Sequence, residues 1–314
     1  MEQVNNLSII ITALRGSEPL EETLLSVLEN RPDDSEIIVV HSGFYQDPYN
    51  LQEEVQFVAA PHARQEVDCL NLGATYASGE ILHTLASGLS VQAGWTDAAT
   101  RLFSDQRTFA VSPVIQEQNS QIQATGVSID AAGMPAMQTE SNSGKVAGPW
   151  HGAGFYQSDL LHMLGGFNSS FGGLFADVDL AAIAGELNLA CQVAENAQVT
   201  LSGKLPSVAT NFASASKSKR LQAKHAKLGQ DVSTVSHWLS ILQRSAGTLP
   251  SRGALTYVIG QLLASSTLHR QDRIDLESIA AELESYLERS AILQMVSIPS
   301  PHESSDWQAH KRAA

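Results

Sequence analysis

The pattern that decides the fold lies in residues 7–43, LSIIITALRGSEPLEETLLSVLENRPDDSEIIVVHSG. Its first part, residues 7–14, is a nearly continuous apolar run rich in Ile, which is typical of a strand buried on both faces of a sheet. Residues 19–30 place Pro19 and two acids early and leucines along one side, which predicts a helix. A second apolar run, residues 35–43, ends in a turn. The stretch therefore predicts a βαβ unit with parallel strands.

The same alternation continues to about residue 85. Residues 55–59 read as a third strand, residues 66–77 as a helix and residues 80–85 as a fourth strand. The stretch EILHTLASGLSVQAGW, residues 80–95, predicts a strand, a tight turn and, near Trp95, the start of a helix. This order is typical of an α/β protein with a mostly parallel sheet flanked by helices. In such sheets ligands bind beyond the carboxyl ends of the strands, so we expect the functional site there.

The composition excludes several classes of protein. With 314 residues, 43% of them hydrophobic, the chain can bury a large core in one or two domains. Cys69 and Cys191 lie in apolar contexts, which argues against a disulfide scaffold or a zinc site. His62, His83 and His162 also lack metal-ligand spacing, so we expect single hydrogen-bonded histidines.

The charge and the apolar runs bear on partners and location. A formal net charge of −14 argues against binding to nucleic acid. The first residues lack the basic region of a secretion signal, and no apolar run approaches the roughly 18 residues that span a bilayer. We therefore expect a cytoplasmic protein without a transmembrane segment.

Three ordered blocks resemble family 2 glycosyltransferases. Residues 7–43 are similar to the opening of that family, in which two apolar strands flank an L-x-x-T-L-x-S-V-L helix. The block LNLGATYASGEILHTLASG, residues 70–88, resembles the family's N-x-G-x-x-x-A-x-G segment that ends in D-x-D. Residues 160–193 resemble the G-G-F segment that leads to E-D-x-D-L. The resemblance covers most of residues 7–200 and implies the GT-A fold of nucleotide-diphospho-sugar transferases, a mostly parallel sheet flanked by helices.

The resemblance also implies a nucleotide site, with altered residues. Thr12 and His41 fall at the family's base-binding positions, and His41 stands where an aspartate is usual. An imidazole can bind a base edge, but with a different geometry from a carboxylate. Ser87 and Gly88, after the fourth strand, complete the predicted nucleotide-binding set. The D-x-D acids, which would hold a metal, are replaced by Ala86 and Gly88, so we expect no cofactor and no Mn²⁺ or Mg²⁺.

One catalytic acid of the family persists. Asp177 falls at the position of the general base, which removes a proton from the acceptor hydroxyl during inverting transfer. Asp179 matches the same segment, and Trp150 and His151 lie in the Gly-rich stretch GPWHGAG, so we assign these three residues to a sugar or acceptor pocket. A structural alternative stays open for each of them. Both acids can stabilise the start of a helix, and the turn can simply bury a ring.

The last third of the chain departs from the resemblance. We expect a GT-A-like domain in residues 1–205, a helical region with an amphipathic helix near residues 274–293 in residues 206–298, and a disordered tail in residues 299–314. Six of the 19 basic residues fall in one segment: Lys204, Lys217, Lys219, Arg220, Lys224 and Lys227. We interpret this basic segment as a solvated helix face rather than a phosphate-binding patch.

Two functional hypotheses follow. The first is a glycosyltransferase-like protein that has lost metal-dependent transfer and acts as a binding or regulatory module, since a fold can persist without its chemistry. The alternative is an active, metal-independent inverting transferase, with Asp177 as the base and Lys217, Lys219 or Arg220 neutralising the diphosphate. The expected partners are a nucleotide sugar and, through the C-terminal helices, another protein or a second copy of this chain.

Overall fold

The first half of the sheet has the alternating order that the sequence predicts. The computed structural model describes residues 7–14, 20–130, 133–139, 147–225 and 275–297. Its first elements are β1 (Leu7–Ala13), α1 (Leu20–Asn30), β2 (Ser35–His41), β3 (Val55–Ala59), α2 (Glu66–Tyr76) and β4 (Ile81–Ala86). The four strands pair in parallel in the order β3-β2-β1-β4. The predicted α/β architecture with a parallel core is therefore confirmed.

The helix α2 packs closely against this parallel sheet. It contacts β1 and β2, where Gly73 provides the room. A Cβ at Gly73 would lie 2.6 Å from Ile10 Cγ2 and 3.0 Å from Val40 Cγ2. Because α2 begins soon after β3 ends, its first residue, Glu66, lies at the carboxyl edge of the sheet.

The second half of the sheet adds antiparallel pairings beyond β4. Its elements are β5 (Leu89–Val91), α3 (Asp97–Leu102), β6 (Thr108–Glu117), β7 (Gln123–Ile129), β8 (Pro135–Thr139), β9 (Phe155–Gln157), α4 (Ser158–Met163), α5 (Leu174–Glu186) and β10 (Ala190–Leu201). The short strand β9 is antiparallel to both β4 and β6, and it joins the two halves. The complete order is β3-β2-β1-β4-β9-β6-β10-β5, with β7 and β8 extending from β6.

A short strand that the sequence does not predict lies between the turn after β4 and the next helix. After the turn at residues 86–88, called the β4 turn, residues Leu89–Val91 form β5. The helix α3 begins at Asp97, close to the helix start predicted near Trp95. The strand exists because the end of β10 pairs with it in antiparallel register. This pairing brings the end of β10 back to the β4 turn, where Ser202 N donates to Gly88 O at 2.9 Å. The residues that follow β10 therefore start beside the carboxyl edge of the parallel strands.

The chain divides into two compact units, and the structure describes one helix after the sheet in each of them. The helix α6 (Phe212–Lys224) contacts α5 in the unit of residues 1–274. The helix α7 (Leu276–Ser297) lies in the unit of residues 275–314, and it overlaps the helix predicted for residues 274–293. The predicted helical pieces within 226–274 and the predicted tail, 299–314, lie outside the described residues. No helix in the described ranges combines the length and apolarity needed to cross a bilayer.

Candidate functional site

A cavity of about 540 Å³ opens at the carboxyl edge of the parallel strands. Its wall combines the β4 turn, the Gly-rich turn before β9, the starts of α2 and α5, and the chain from β10 into α6. Three residues of the predicted site line it: Ser87, Trp150 and His151. The other predicted residues are outside the lining: Thr12, His41, Gly88, Asp177 and Asp179. The volume is within the range of small-molecule binding sites.

The β4 turn forms part of the cavity wall through Ala86 and Ser87. The Ser87 hydroxyl donates to Thr12 O at 2.7 Å, so it is engaged with the neighbouring strand. Gly88 has a φ of 95°, which a residue with a Cβ rarely adopts, and its N–H donates to Thr23 Oγ1 at 2.9 Å. The turn is therefore held by α1 and β1, and its side chains bring a methyl and a hydroxyl group to the cavity.

The lining does not fit the divalent metal that the D-x-D motif would hold. Mg²⁺ and Mn²⁺ prefer carboxylate and other oxygen ligands. The positions of the two acids carry Ala86 and Gly88, and Glu66 is the single carboxylate among the described lining residues. In the part of the chain that the structure describes, no group of three or more His, Cys, Asp or Glu side chains is arranged to hold a metal.

Thr12 and His41 lie at the carboxyl ends of the adjacent strands β1 and β2. Thr12 is opposite Ala86 in the register of β1 and β4. His41 is 7% exposed, and its Nδ1 accepts from Gly43 N at 3.2 Å and from Tyr45 N at 3.4 Å. Burial lowers the pKa of His41, so the ring is neutral and shapes the loop after β2. The assignment of both residues to the nucleotide remains a prediction.

The Gly-rich turn is attached to β4 by backbone hydrogen bonds. Ala86 N donates to Gly152 O at 2.8 Å, and Thr84 N donates to Gly154 O at 2.8 Å. The Trp150 ring packs against Gly152, where a Cβ would come within 2.3 Å of it. Trp150 and His151 are 5% and 3% exposed, yet both line the cavity. The two residues are thus mostly buried and still form part of the cavity wall.

His151 connects two carboxylates, one buried and one facing the cavity. Its Nδ1 lies 2.9 Å from both Asp177 carboxylate oxygens, and its backbone N–H donates to Asp177 Oδ1 at 3.0 Å. Its Nε2 lies 3.1 Å from Glu66 Oε2. The exposed fractions of the side chains are 0% for Asp177, 4% for His151 and 38% for Glu66. Asp177 therefore lies behind His151, and Glu66 is the carboxylate that a ligand can reach.

His151 is a cation in this arrangement. Burial alone lowers its pKa, but the carboxylates of Asp177 and Glu66 outweigh burial and raise the pKa to about 10. Both ring nitrogens then carry a proton, and each donates to a carboxylate. Burial is the largest influence on Asp177 and leaves its pKa above the usual value, although the charge and the hydrogen bonds of His151 lower it. The two side chains form a closed, buried ion pair.

Asp179 belongs to a second buried network, which joins α5 to the end of α6. Lys224 Nζ donates to Asp179 Oδ2 at 2.8 Å, and His225 Nε2 lies 2.8 Å from Asp179 Oδ1. The other nitrogen of His225 lies 2.9 Å from Glu186 Oε1. The carboxylate of Asp179 is thus engaged with α6, and the contact of Asp179 with a sugar or an acceptor stays a prediction.

The basic segment is only partly solvated. Lys204 and Lys217 line the cavity, and Lys217 Nζ donates to Phe171 O and lies 5.9 Å from the centre of the Phe175 ring. The side chain of Lys224 is 6% exposed. The interpretation as a solvated helix face is therefore wrong for Lys217 and Lys224, because α6 packs onto α5 with its basic side inward.

Sequence reasoning missed Glu66 as a residue of the cavity. The signal was available, since a helix predicted to begin at residue 66 after a parallel strand begins at the carboxyl edge. The blocks that carry the family resemblance also meet here. The Asn71 side chain donates to Phe167 O at 2.7 Å and accepts from Phe167 N at 2.8 Å, which joins the N-x-G block to the G-G-F block.

Comparison with solved structures identifies the fold. GalNAc-T7 with UDP, GalNAc and Mn²⁺ matches with a TM-score of 0.57 and 13% identity over 80% of this chain. The match spans 52% of that chain, so this protein corresponds to about half of the GalNAc-T7 structure. Residues 1–349 of Staphylococcus aureus TarS match with a TM-score of 0.56 and 12% identity, over 82% of this chain and 79% of that one.

The same TarS fragment in complex with UDP-GlcNAc also matches, with a TM-score of 0.56 and 12% identity over 81% of this chain and 79% of that one. No family model matches the sequence, and no curated protein matches it. The structural likenesses show the fold, and the chain has the GT-A glycosyltransferase fold.

Proposed function

We propose that this protein is a glycosyltransferase-like binding or regulatory module that holds a nucleotide sugar without a divalent metal and does not transfer the sugar. The observation that carries the proposal is the presence of Lys204 and Lys217 on the cavity whose metal-acid positions hold Ala86 and Gly88. An ammonium group attracts a diphosphate as a divalent cation does, and it needs no carboxylate ligands.

The nature of the ligand is supported by the fold and by the cavity. GalNAc-T7 is seen with UDP and TarS with UDP-GlcNAc, both on the same fold. In α/β sheets, ligands bind beyond the carboxyl ends of the strands, which is where this cavity opens. Its wall combines the side chains of Lys204 and Lys217 with Trp150. A nucleoside diphosphate linked to a hexose combines the matching charge and apolar faces.

The absence of transfer is proposed because the expected base is enclosed. Asp177 has no exposed side-chain surface, and within the described part of the chain its carboxylate accepts hydrogen bonds from His151 alone. A general base must come within hydrogen-bond reach of the proton it removes. Asp177 can do so only if His151 leaves it, which would break a buried ion pair.

Metal-independent inverting transfer is the second candidate, and the same lysines favour it. In this reaction Asp177 takes the proton of the acceptor hydroxyl, and the acceptor oxygen forms a bond to the anomeric carbon of the donor. The bond from that carbon to the phosphate oxygen breaks, and the electron pair leaves with the nucleoside diphosphate. Lys204 and Lys217 would stabilise the charge of the leaving group.

Calorimetry with and without manganese tests the proposed function. The titrants are UDP, UDP-glucose, GDP and GDP-mannose. We expect either the two uridine nucleotides or the two guanosine nucleotides to bind, with the same affinity in the presence and in the absence of manganese. Replacing Lys217 with Ala should weaken that binding about 10-fold, because a charge-assisted contact to phosphate is lost. Lys219→Ala, on the same helix but outside the cavity lining, is the matched control and should retain the affinity.

Two results would contradict the proposal. Binding that requires manganese would mean that a metal site forms despite Ala86 and Gly88. The absence of binding by all four nucleotides would leave the cavity without its proposed ligand.

Release of UDP or GDP from the bound nucleotide sugar separates the two candidates. We expect no release above the rate in buffer. Release that Asp177→Asn abolishes would favour the transferase instead.

A further inference from the structure

Glu66 is the reachable carboxylate of the cavity, and the sequence resemblance assigns it no role. Its side chain is 38% exposed, whereas its partner His151 is 4% exposed. Among the described residues that line the cavity, Glu66 is the single acid. Glu66 therefore adds one negative site to a cavity wall that also contains the positive side chains of Lys204 and Lys217.

The position of Glu66 is fixed from two sides. Within α2, the Asp68 carboxylate accepts from Gln65 N at 3.2 Å and from Arg64 N at 2.9 Å, which holds the first turn of the helix. From the cavity wall, His151 Nε2 binds Glu66 Oε2 at 3.1 Å. Within the ranges that the structure describes, Glu66 Oε1 accepts no hydrogen bond. One oxygen is thus anchored, and the other is available to a ligand.

A carboxylate and a lysine select different parts of one ligand. Ionised carboxylates only accept hydrogen bonds, so they bind hydroxyl groups and repel phosphate oxygens. The ammonium groups of Lys204 and Lys217 do the reverse. A ligand that satisfies both kinds of group has an anionic part and a neutral part rich in hydroxyls.

We propose that Glu66, anchored by His151, recognises the hydroxyl groups of the hexosyl part of the ligand and so determines which nucleotide sugars the cavity accepts. This inference rests on the proposed function, because it requires a nucleotide sugar in the cavity. It assigns the diphosphate to the lysines and the hexose to the carboxylate. Ribose also carries hydroxyl groups, and a comparison of ligands with and without the hexose distinguishes the two sources.

The test compares bare nucleotides with nucleotide sugars on the full chain. Calorimetry without manganese uses UDP, UDP-glucose and UDP-GlcNAc, and also GDP and GDP-mannose. The proteins are the wild type, Glu66→Gln and Glu22→Gln. Glutamine keeps the size of the side chain but removes its charge, and Glu22 is an exposed acid on α1 outside the cavity lining.

We expect the wild type to bind at least one nucleotide sugar more tightly than the bare nucleotide. Glu66→Gln should weaken the affinity for the nucleotide sugar about 10-fold, as expected for the loss of a charged acceptor. Its affinity for the bare nucleotide should stay within about two-fold of the wild-type value. Glu22→Gln should match the wild type in both.

Each other outcome has one meaning. An equal loss for the bare nucleotide and the sugar nucleotide places the contact on the ribose and overturns the inference. An unchanged affinity of Glu66→Gln for both also overturns it. If the wild type binds none of the five ligands, the proposed function fails rather than this inference alone.

Discussion

At the scale of residues, the contact between His151 and Asp177 decides what the cavity offers to a ligand. His151 lines the cavity, and Asp177 lies behind it without exposed surface. Transferring the two side chains from water to the interior is costly, and their mutual attraction repays the cost only while both are charged. The pair therefore joins the turn that carries Trp150 to α5 and keeps the acid out of reach.

Asp177→Asn should destabilise the protein, because it leaves the His151 ring buried without its main counter-charge. Removing one partner of a buried ion pair costs about 3–5 kcal/mol. The free energy of unfolding in urea measures the loss. Asp33→Asn, an exposed acid in the turn before β2, is the control, and it should change the free energy by less than about 0.5 kcal/mol. Equal stability of both variants would show that the buried pair contributes little.

Residue types in the sequence do not predict whether a ligand can reach a side chain. The sequence resemblance predicts that Asp177 is a catalytic base, but only the fold reveals that His151 covers it. His83 illustrates the opposite case, since the expected single hydrogen-bonded histidine is confirmed. Its Nδ1 lies 3.0 Å from Gly154 O, and its Nε2 accepts from Trp95 Nε1 at 3.0 Å. Burial of a side chain depends on the whole fold, which a local pattern does not contain.

At the scale of elements, α6 brings the basic segment to the cavity. Arg220 donates to Ser170 Oγ at 2.9 Å and lies 4.8 Å from the centre of the Phe171 ring. Lys224 also donates a hydrogen bond to Asp179 on α5. Together these contacts hold α6 against α5 and place Lys217 in the cavity wall. A row of basic residues on a helix predicts a solvated face, because the sequence alone does not show which groups contact those residues. The partners here are carboxylates, rings and carbonyl groups on α5 and on the loop before it.

Gly73→Ala should destabilise the protein, whereas Gly185→Ala should stabilise it. A Cβ at Gly73 meets Ile10 and Val40 at 3.0 Å or less, and both are stiff β-branched residues. The strain should outweigh the helix propensity that Ala gains, with a net loss of about 1–2 kcal/mol. Gly185, on α5, has nothing within 4 Å of its Cβ position, so Ala should add about 0.5 kcal/mol.

Urea unfolding of the two glycine variants measures both effects. If the free energy of unfolding changed in the same direction in both variants, the role of Gly73 in packing α2 against the sheet would be contradicted.

The strands up to β4 and the helix α1 could be predicted because each has a clear local pattern. Continuous apolar runs gave the strands, and one-sided leucines gave α1. The strands β5 and β9 have three residues each and carry no such signal. Each exists because distant strands hydrogen-bond to it: β10 for β5, and β4 and β6 for β9.

At the scale of the whole molecule, two histidines set opposite limits on pH stability. Burial lowers the pKa of His83 to about 3, and the carboxylates raise the pKa of His151 to about 10. The value in the unfolded chain is near 6.5 for both. Between about pH 6.5 and pH 3, His83 is protonated in the unfolded chain but not in the folded one. The free energy of unfolding therefore falls as the pH decreases in this range. Between about 6.5 and 10 the folded chain holds the extra proton on His151, so stability falls as the pH increases.

The free energy of unfolding should therefore have its maximum near neutral pH. Each histidine contributes a slope of up to about 1.4 kcal/mol per pH unit on its own side. Urea titrations from pH 4 to pH 10 measure the profile. His83→Gln should flatten the acid side and His151→Gln the alkaline side, while His62→Gln, at an exposed position, is the control. A profile that neither variant changes would contradict the assigned protonation states.

The position of β9 also has a consequence for synthesis on the ribosome. The parallel strands β1 to β4 are complete once Ala86 has been made, but the neighbour of β4 in the sheet is β9, residues Phe155–Gln157. Until that segment emerges, the nascent sheet has an open edge, and open edges recruit other chains. During the interval from Ala86 to Phe155, the edge at β4 is therefore open to pairing with other chains, and the three residues of β9 then cover that edge.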